Sequence, residues 1–278
     1  MSDATPISIV VVLLVLSVFI IIANTFTVFV FWIHRHKLKR TFLTVFNLTV
    51  ADLFVGLVET VVAGSKLNSS KFMEGIPGSF LAMASGASVF FLVLVSLERA
   101  FALIWPLRHR VTSTKVYTYS VAIIWLAGLS LGALNFLTTN GIIDDRHYLF
   151  SYSIITFFSL FVICWSYLLI RKRLYNRNPA IDEADCRKRV GQNAKFSKTV
   201  LVVIGASVTL WAPSMTLYNI NLWLGLLPGF MNYLTNFLHV TNSLVNPVIY
   251  SFRTAVFKKT LKQLANTEDL QAIKKLHD

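Results

Sequence analysis

Residues 199–252 read TVLVVIGASVTLWAPSMTLYNINLWLGLLPGFMNYLTNFLHVTNSLVNPVIYSF, 54 residues without a single Asp, Glu, Lys or Arg. A helix crosses the hydrocarbon core of a bilayer in about 20 residues, so this stretch is too long for one span, and Leu227-Pro228-Gly229 divides it into two. Working outward, further uncharged runs lie at 4–34, 75–97, 116–143 and 147–170, and 41–65 is apolar except for Asp52 and Glu59. Seven spans result, with helices predicted at 6–33, 41–66, 74–105, 115–138, 147–174, 194–222 and 229–252. The chain is 55% hydrophobic and 14% charged, whereas a soluble domain carries about 25% charged residues. The same composition is too apolar for a disordered chain. The predicted fold is therefore an all-α integral membrane bundle over 1–252. The segment 253–278 is predicted as an amphipathic membrane-surface helix and short tail, with Val256, Phe257, Leu261 and Leu264 on one face and Arg253, Lys258, Lys259 and Lys262 on the other.

Lysines and arginines outnumber acids by 26 to 13, a net charge of +13. With the N-terminus outside, 23 of the 26 fall on cytoplasmic segments, leaving Lys66, Lys71 and Arg146 outside. This is the asymmetry of the positive-inside rule, so the excess reads as topology and attraction to anionic lipid, not as a nucleic-acid surface. The implied topology is multi-pass, with the N-terminus outside and the C-terminus cytoplasmic. The first run is too long for a cleaved leader. The two cysteines, Cys164 in a span and Cys186 in a basic segment, leave no pair for an outer disulfide. The longest connection is expected at about 175–193, with Asn178-Pro179 as breaker.

Polar side chains within a bilayer are costly and face a bundle interior. Counting inward from the basic ends, Asn24, Asp52 and Ser88 lie ~16–18 Å deep, Trp211 ~20 Å, and Asn242 and Asn246 ~10–16 Å. They converge near mid-membrane. Asp52 with Ser88, Asn242 and Asn246 offers oxygen donors to a small cation such as sodium, or to a water cluster; the alternative is a static hydrogen-bond network. Glu98-Arg99 sits at the inner end of the third span, where the plain reading is a snorkelling arginine. Pro213 and Pro247 interrupt their helices and predict kinks.

In order, these residues resemble the rhodopsin-like G-protein-coupled receptors. The matches are Asn24, Leu48-Thr49-Val50-Ala51-Asp52, Glu98-Arg99 followed by Pro106-Leu107, Trp125, Tyr167 with Ile170, Trp211-Ala212-Pro213, and Asn246-Pro247-Val248-Ile249-Tyr250 leading to Phe257. The resemblance assigns Asp52, Ser88, Asn242 and Asn246 to a sodium-water site. It makes Trp211 a rotamer switch beneath a ligand pocket, and Glu98, Arg99, Tyr167, Pro213, Pro247 and Tyr250 parts of the activation apparatus. Arg99, Pro106 and Leu107 would contact a heterotrimeric G protein as the sixth helix swings outward. No enzymatic activity is implied, and sodium is the one candidate cofactor.

Departures sharpen these expectations. Ala100 replaces the tyrosine usual after the arginine, and Asn193 stands where the sixth helix normally carries a restraining acid, so the inactive lock should be weak and basal signalling raised. Glu74 replaces the usual disulfide cysteine and Ser159 a usual proline. With a short second outer loop, these features resemble the melanocortin, cannabinoid, lysophospholipid and adenosine receptors, although Gly78 lacks the second acid of the melanocortin pattern. Leu81 occupies the position of the aminergic aspartate, and no lysine in the seventh helix is available for a retinal Schiff base.

The candidate ligand contacts are Glu59, Leu81, Ser151, Tyr152, Trp211, Tyr218, Asn219, Asn236 and His239, a mostly neutral, partly aromatic set suited to a small amphipathic molecule or short peptide. Glu59 would meet a cationic group, bind a divalent ion with Glu74, or pair with Lys66 or nearby hydroxyls; His239 reads more simply as a satisfied bundle histidine. Asn68-Ser69-Ser70 is a glycosylation sequon close to the membrane. Competing functions are a non-signalling or scavenging receptor of the same fold, for which Ala100 and Ser207 speak, and a seven-helix transporter, against which stands the absence of repeated halves.

Overall fold

The structure, a computed structural model, describes residues 6–34, 41–68, 71–175, 184–224, 229–253 and 257–260. Eight helices follow one another: α1 (Ile7–Ile33), α2 (Thr41–Asn68), α3 (Lys71–Ile104), α4 (Pro106–Val111), α5 (Thr114–Thr139), α6 (Asp145–Tyr175), α7 (Ala184–Leu224) and α8 (Gly229–Arg253). A further helical turn is present at 257–260. All but α4 are long, and these seven form an antiparallel bundle with α3 at its centre, packed against α2, α5, α6 and α7. In its most apolar stretch α3 is 67% buried, against 28% for α5 at the periphery. Val11, Val15 and Phe19 on α1 and Phe157, Phe158, Phe161 and Trp165 on α6 are exposed. An outward apolar belt of that size calls for lipid as solvent.

Six helices are long and apolar enough to cross a membrane by composition among the described residues. The helix outside that set is α8. Its 25 residues suffice in length, but Asn232, Asn236, His239, Asn242 and Asn246 dilute its apolar character. Asn242 and Asn246 are buried in the bundle, so the polarity at these two positions faces protein and not hydrocarbon.

Two boundaries differ from the sequence reading. The segment after α3, expected as a loop, forms α4. Trp105 precedes a proline and is driven out of helical geometry (φ −126°, ψ 67°), and Pro106 then begins a new helix at the position where its missing N–H is harmless. At the other, the backbone of α7 is helical from Ala184, ten residues earlier than predicted; no Pro or Gly follows Pro179 until Gly191 to stop it. At the opposite end of the bundle the α5–α6 link is only residues 140–144. There Gly141 adopts φ +71°, and the Gly141 and Ile142 N–H groups donate to the Thr138 and Leu137 carbonyls (2.9 Å each), closing the helix end. Asp144 Oδ1 accepts from the Arg146 N–H at 2.9 Å, capping α6.

Glycines set the closest helix approach. A Cβ on Gly132 would lie 2.8 Å from the Ser79 carbonyl oxygen, and one on Gly128 2.9 Å from that of Met83. The pair, one turn apart, brings α5 against the backbone of α3 in the manner of small-residue contacts between membrane helices. Trp125 one turn earlier donates from Nε1 to Asn47 Oδ1 of α2 (3.1 Å) and stacks edgewise on Phe91 (5.6 Å).

Of the predicted surface helix, Phe257 is buried, its ring edge-on to Phe31 (5.5 Å) and Phe26 (6.3 Å) of α1, while Lys258 and Lys259 are exposed. Val256, Leu261, Lys262 and Leu264 lie outside the described residues, as do the side chains of Asn68, Lys71, Glu74, Cys186 and Asn193.

Candidate functional site

Asp52 is fully buried, one helix turn above Leu48 on the inward face of α2. Its Oδ1 accepts from the Ser88 hydroxyl of α3 at 2.6 Å, and its Oδ2 from the Asn246 amide of α8 at 2.8 Å. Ser243 of α8 also lies close enough to act on this carboxylate. One turn from it, the Ser243 carbonyl accepts from the Asn24 amide of α1 (3.0 Å). Four helices are thus joined through a single carboxylate and its neighbours. Asn242 is buried as well, and the side-chain oxygens of Asn24, Asn242 and Asn246 have no hydrogen-bond partner. Buried oxygen atoms left without donors, one of them on the Asn246 amide that bonds Asp52, are the kind of group a hard cation takes as ligands.

At the basic end, Glu98 and Arg99 are both nearly buried. The Arg99 guanidinium donates to Glu98 Oε1 at 2.7 Å, and the Thr44 hydroxyl of α2 donates to Glu98 Oε2 at 3.2 Å. His109 of α4 brings Nε2 to 3.3 Å from Glu98 Oε1 and 3.2 Å from the Tyr117 hydroxyl of α5. The acid therefore ties α2, α3, α4 and α5 together beside the arginine, which exceeds the snorkelling role. On the face of α4, Pro106 and Leu107 are exposed, Leu107 by 79%. Tyr250 is buried with its hydroxyl unpartnered, and Tyr167 packs partly buried against the same apolar cluster. Pro213 and Pro247 lie inside α7 and α8.

Toward the opposite end a cavity of about 230 Å³ opens between α3, α6, α7 and α8. Leu81, Tyr152, Tyr218, Asn236 and His239 line it, as the sequence reading expected of ligand contacts. Trp211 sits beneath it, 3% exposed, with its ring 4.4 Å from that of His239 and its other side on a small space lined by Val89, Leu160 and Ser207. Glu59 is behind the wall, fully buried, with Oε1 accepting from the Asn236 amide at 3.0 Å. Ser151 and Asn219 do not reach the lining. Asn219 turns back along α7 to donate to the Met215 carbonyl (2.8 Å), and Ser151 precedes Tyr152 by one residue, which on a helix points it about 100° away.

Three features escaped the sequence. Tyr148 lines the cavity, stacked on Tyr152 (5.8 Å); their separation of four residues on one helix was the available signal. Met215 and Thr235 belong to the same wall, but an ordinary apolar residue and a threonine bonded to its own helix carry no signal of their own. Ser243 joins Asp52 because 239, 242, 243 and 246 share a helix face. Of the alternatives for Glu59, Lys66 attracts the carboxylate but makes no close ion pair with it among the described residues; Lys66 Nζ lies over the Tyr233 ring, 5.9 Å from its centroid. Among the described residues no group of three or more His, Cys, Asp or Glu side chains is placed to hold a metal ion, and the divalent-ion reading with Glu74 falls on a side chain outside them.

The chain resembles several known receptors over most of its length. It is 24% identical over 270 residues to the lysophosphatidic acid receptor 1-B of Xenopus laevis, covering 89% of this chain and 72% of that one. It is 25% identical over 232 residues to the [Phe13]-bombesin receptor of Bombina orientalis (71% of this chain, 59% of the relative). To the neuropeptide FF receptor 1 of Rattus norvegicus it is 23% identical over 286 residues (86% and 65%). The model of the 7 transmembrane receptor (rhodopsin family) matches residues 23–250, a range that holds Asp52, Arg99, Trp211 and Asn246 together. The chain belongs to the rhodopsin family of seven-transmembrane receptors.

Proposed function

We propose that this receptor transmits the binding of an extracellular small molecule or short peptide to a heterotrimeric G protein, by outward movement of the basic end of α7, from the plasma membrane with its N-terminus outside. The observation that carries the reading is the polar column through the bundle. A cavity at one end rests on Trp211 and His239; the Asp52–Ser88–Asn246 network lies below; the Glu98–Arg99 pair and the exposed Leu107 lie at the other end. Buried groups shared among helices give discrete arrangements, and a ligand shifts their population only as far as it prefers one of them. The relatives' names point to a phospholipid and to peptides as ligands of those proteins, and for this chain the proposal is a small molecule or short peptide.

Sodium fits the central network. Asp52, Ser88 and Asn242 would hold it, with the unpartnered Asn242 oxygen as a ready ligand. Its charge would compensate the buried carboxylate and favour the closed arrangement. Arg99, Pro106 and Leu107 would receive the G protein, and Tyr167 and Tyr250 would rearrange to admit it.

The test is a G-protein dissociation sensor in cells expressing the chain at measured surface density, with Arg99→Ala alongside. Signal above mock-transfected cells that is lost in Arg99→Ala supports the reading, including its expectation of raised basal output. Equal baselines for chain, variant and mock favour the non-signalling receptor, for which the buried Ser207 beside Trp211, with its hydroxyl unpartnered, is the specific observation.

A further inference from the structure

The chemistry of the cavity wall narrows the ligand. Three tyrosines form one side: Tyr148 stacked on Tyr152 at 5.8 Å, and Tyr218 edge-on to Tyr152 at 6.1 Å. Aromatic faces attract ammonium and guanidinium groups, more strongly when water is excluded. Across from them, Asn236 of α8 commits its amide nitrogen to Glu59 Oε1 (3.0 Å), which leaves the amide oxygen of this lining residue as an acceptor. Behind it Glu59 is fully buried, and its second oxygen, Oε2, has no hydrogen-bond partner.

A buried carboxylate with one oxygen unused, met by one amide bond and by the more distant charge of Lys66, is poorly compensated in a low-dielectric surrounding. Its complement is an N–H donor carrying positive charge. None of the lining residues is Lys or Arg, and Lys66, the cation on Glu59's own helix, attracts the carboxylate from a position over the Tyr233 ring without lining the cavity. Leu81 lines the cavity and brings no charge. An anionic headgroup placed here would face Glu59 with no Lys or Arg in the lining to pair with, and like charges brought together without water repel strongly.

We infer that the cavity recognises a small cation, an ammonium or guanidinium on an aromatic or apolar body, held between the three tyrosines and the Asn236 amide oxygen, with the charge of Glu59 behind Asn236 favouring it, and that it rejects the phosphate headgroup that the lysophosphatidic acid relatives are named for. This rests on the reading of the cavity as the ligand site. The volume of about 230 Å³ lies below the ~300–1,000 Å³ of drug-sized pockets, so the portion of ligand enclosed is small.

The experiment uses the purified full chain in detergent with three probes that share one phenethyl body, phenethylamine and 2-phenylethanol, which match in size, and the larger phenethyl phosphate, and with lysophosphatidic acid. Affinities come from the concentration dependence of the melting temperature. Phenethylamine is expected to bind about tenfold or more tightly than the alcohol, the worth of one charged hydrogen bond, with both phosphates weaker than either. Glu59→Gln should remove the amine's advantage and leave the alcohol unchanged. Tyr148→Leu, which keeps the carboxylate, should reduce the same advantage and stands in should Glu59→Gln not fold.

No stabilisation by phenethylamine at millimolar concentration, equal affinity for amine and alcohol, an amine preference indifferent to both substitutions, or preference for lysophosphatidic acid would each overturn the inference. Signalling through Arg99 with a charge-indifferent cavity would sink this inference alone. Amine selectivity in a chain that never activates a G protein would sink the signalling reading and spare the binding one.

Discussion

Replacing Asp52 tests the centre of the bundle directly. Asp52→Ala removes the acceptor of the Ser88 bond at 2.6 Å and the Asn246 bond at 2.8 Å, both to a buried carboxylate and each worth about 1.5–3 kcal/mol. Two buried donors would be left without their carboxylate partner. The carboxylate's own desolvation penalty disappears at the same time and offsets part of the loss, so the lower end, about 3 kcal/mol, is expected. At about 2–4 °C per kcal/mol, the detergent-solubilised chain should melt about 6–12 °C lower. Asp52→Asn should behave otherwise. Its carbonyl oxygen can still accept from Ser88, and its new amide nitrogen can donate to Asn246 once that side chain turns over to present Oδ1, now unpartnered. In sodium-free buffer it should melt within about 2 °C of the unaltered chain. Exchanging choline for sodium should then raise the melting point of the unaltered chain and leave both variants unmoved. An Asp52→Ala protein as stable as the parent, or an Asp52→Asn protein as damaged as the alanine, would refute the assignment of these bonds as the tie between α2, α3 and α8.

Gly132→Leu should lower stability by about 1–3 kcal/mol by forcing α5 off the α3 backbone, whereas Gly205→Ala, with nothing within 4 Å of its Cβ, should hold or gain up to about 1 kcal/mol from helix propensity; thermal melting separates them. Trp125→Phe and Asn47→Ala should each lose about 1 kcal/mol and the double variant little more, because they share one hydrogen bond; additive losses in a double-mutant cycle would contradict it. Glu98→Gln keeps an acceptor for Thr44 but removes the ion pair to Arg99, and should raise ligand-independent sensor output at equal surface expression.

The helices of the bundle were legible because charge is excluded from hydrocarbon so sharply that long stretches poor in charge mark their middles, though not their ends. Asp52, Ser88 and Asn246 were legible for the converse reason: hydrophilic atoms at such depth have nowhere to go but inward, and they were found in contact. What stayed hidden depended on neighbours in space. Ser243 is a common residue whose significance lies in facing Asp52, and Tyr148 acquires its place from Tyr152 and the far wall. The start of α7 and the short α4 lie beyond the hydrocarbon, where hydropathy has nothing to say and local backbone preference decides. Ser151 and Asn219 were placed one helical position too generously, since at 3.6 residues per turn a neighbour in sequence is not a neighbour on the face.

The link between α5 and α6 spends its five residues on turning the chain, one turn above Tyr148 at the cavity wall. It has no length left to fold over the opening from that side. A visiting molecule would meet a doorway without a door on that side, and discrimination there is left to the inner walls, after entry. How long a compound stays should then depend on what it touches inside.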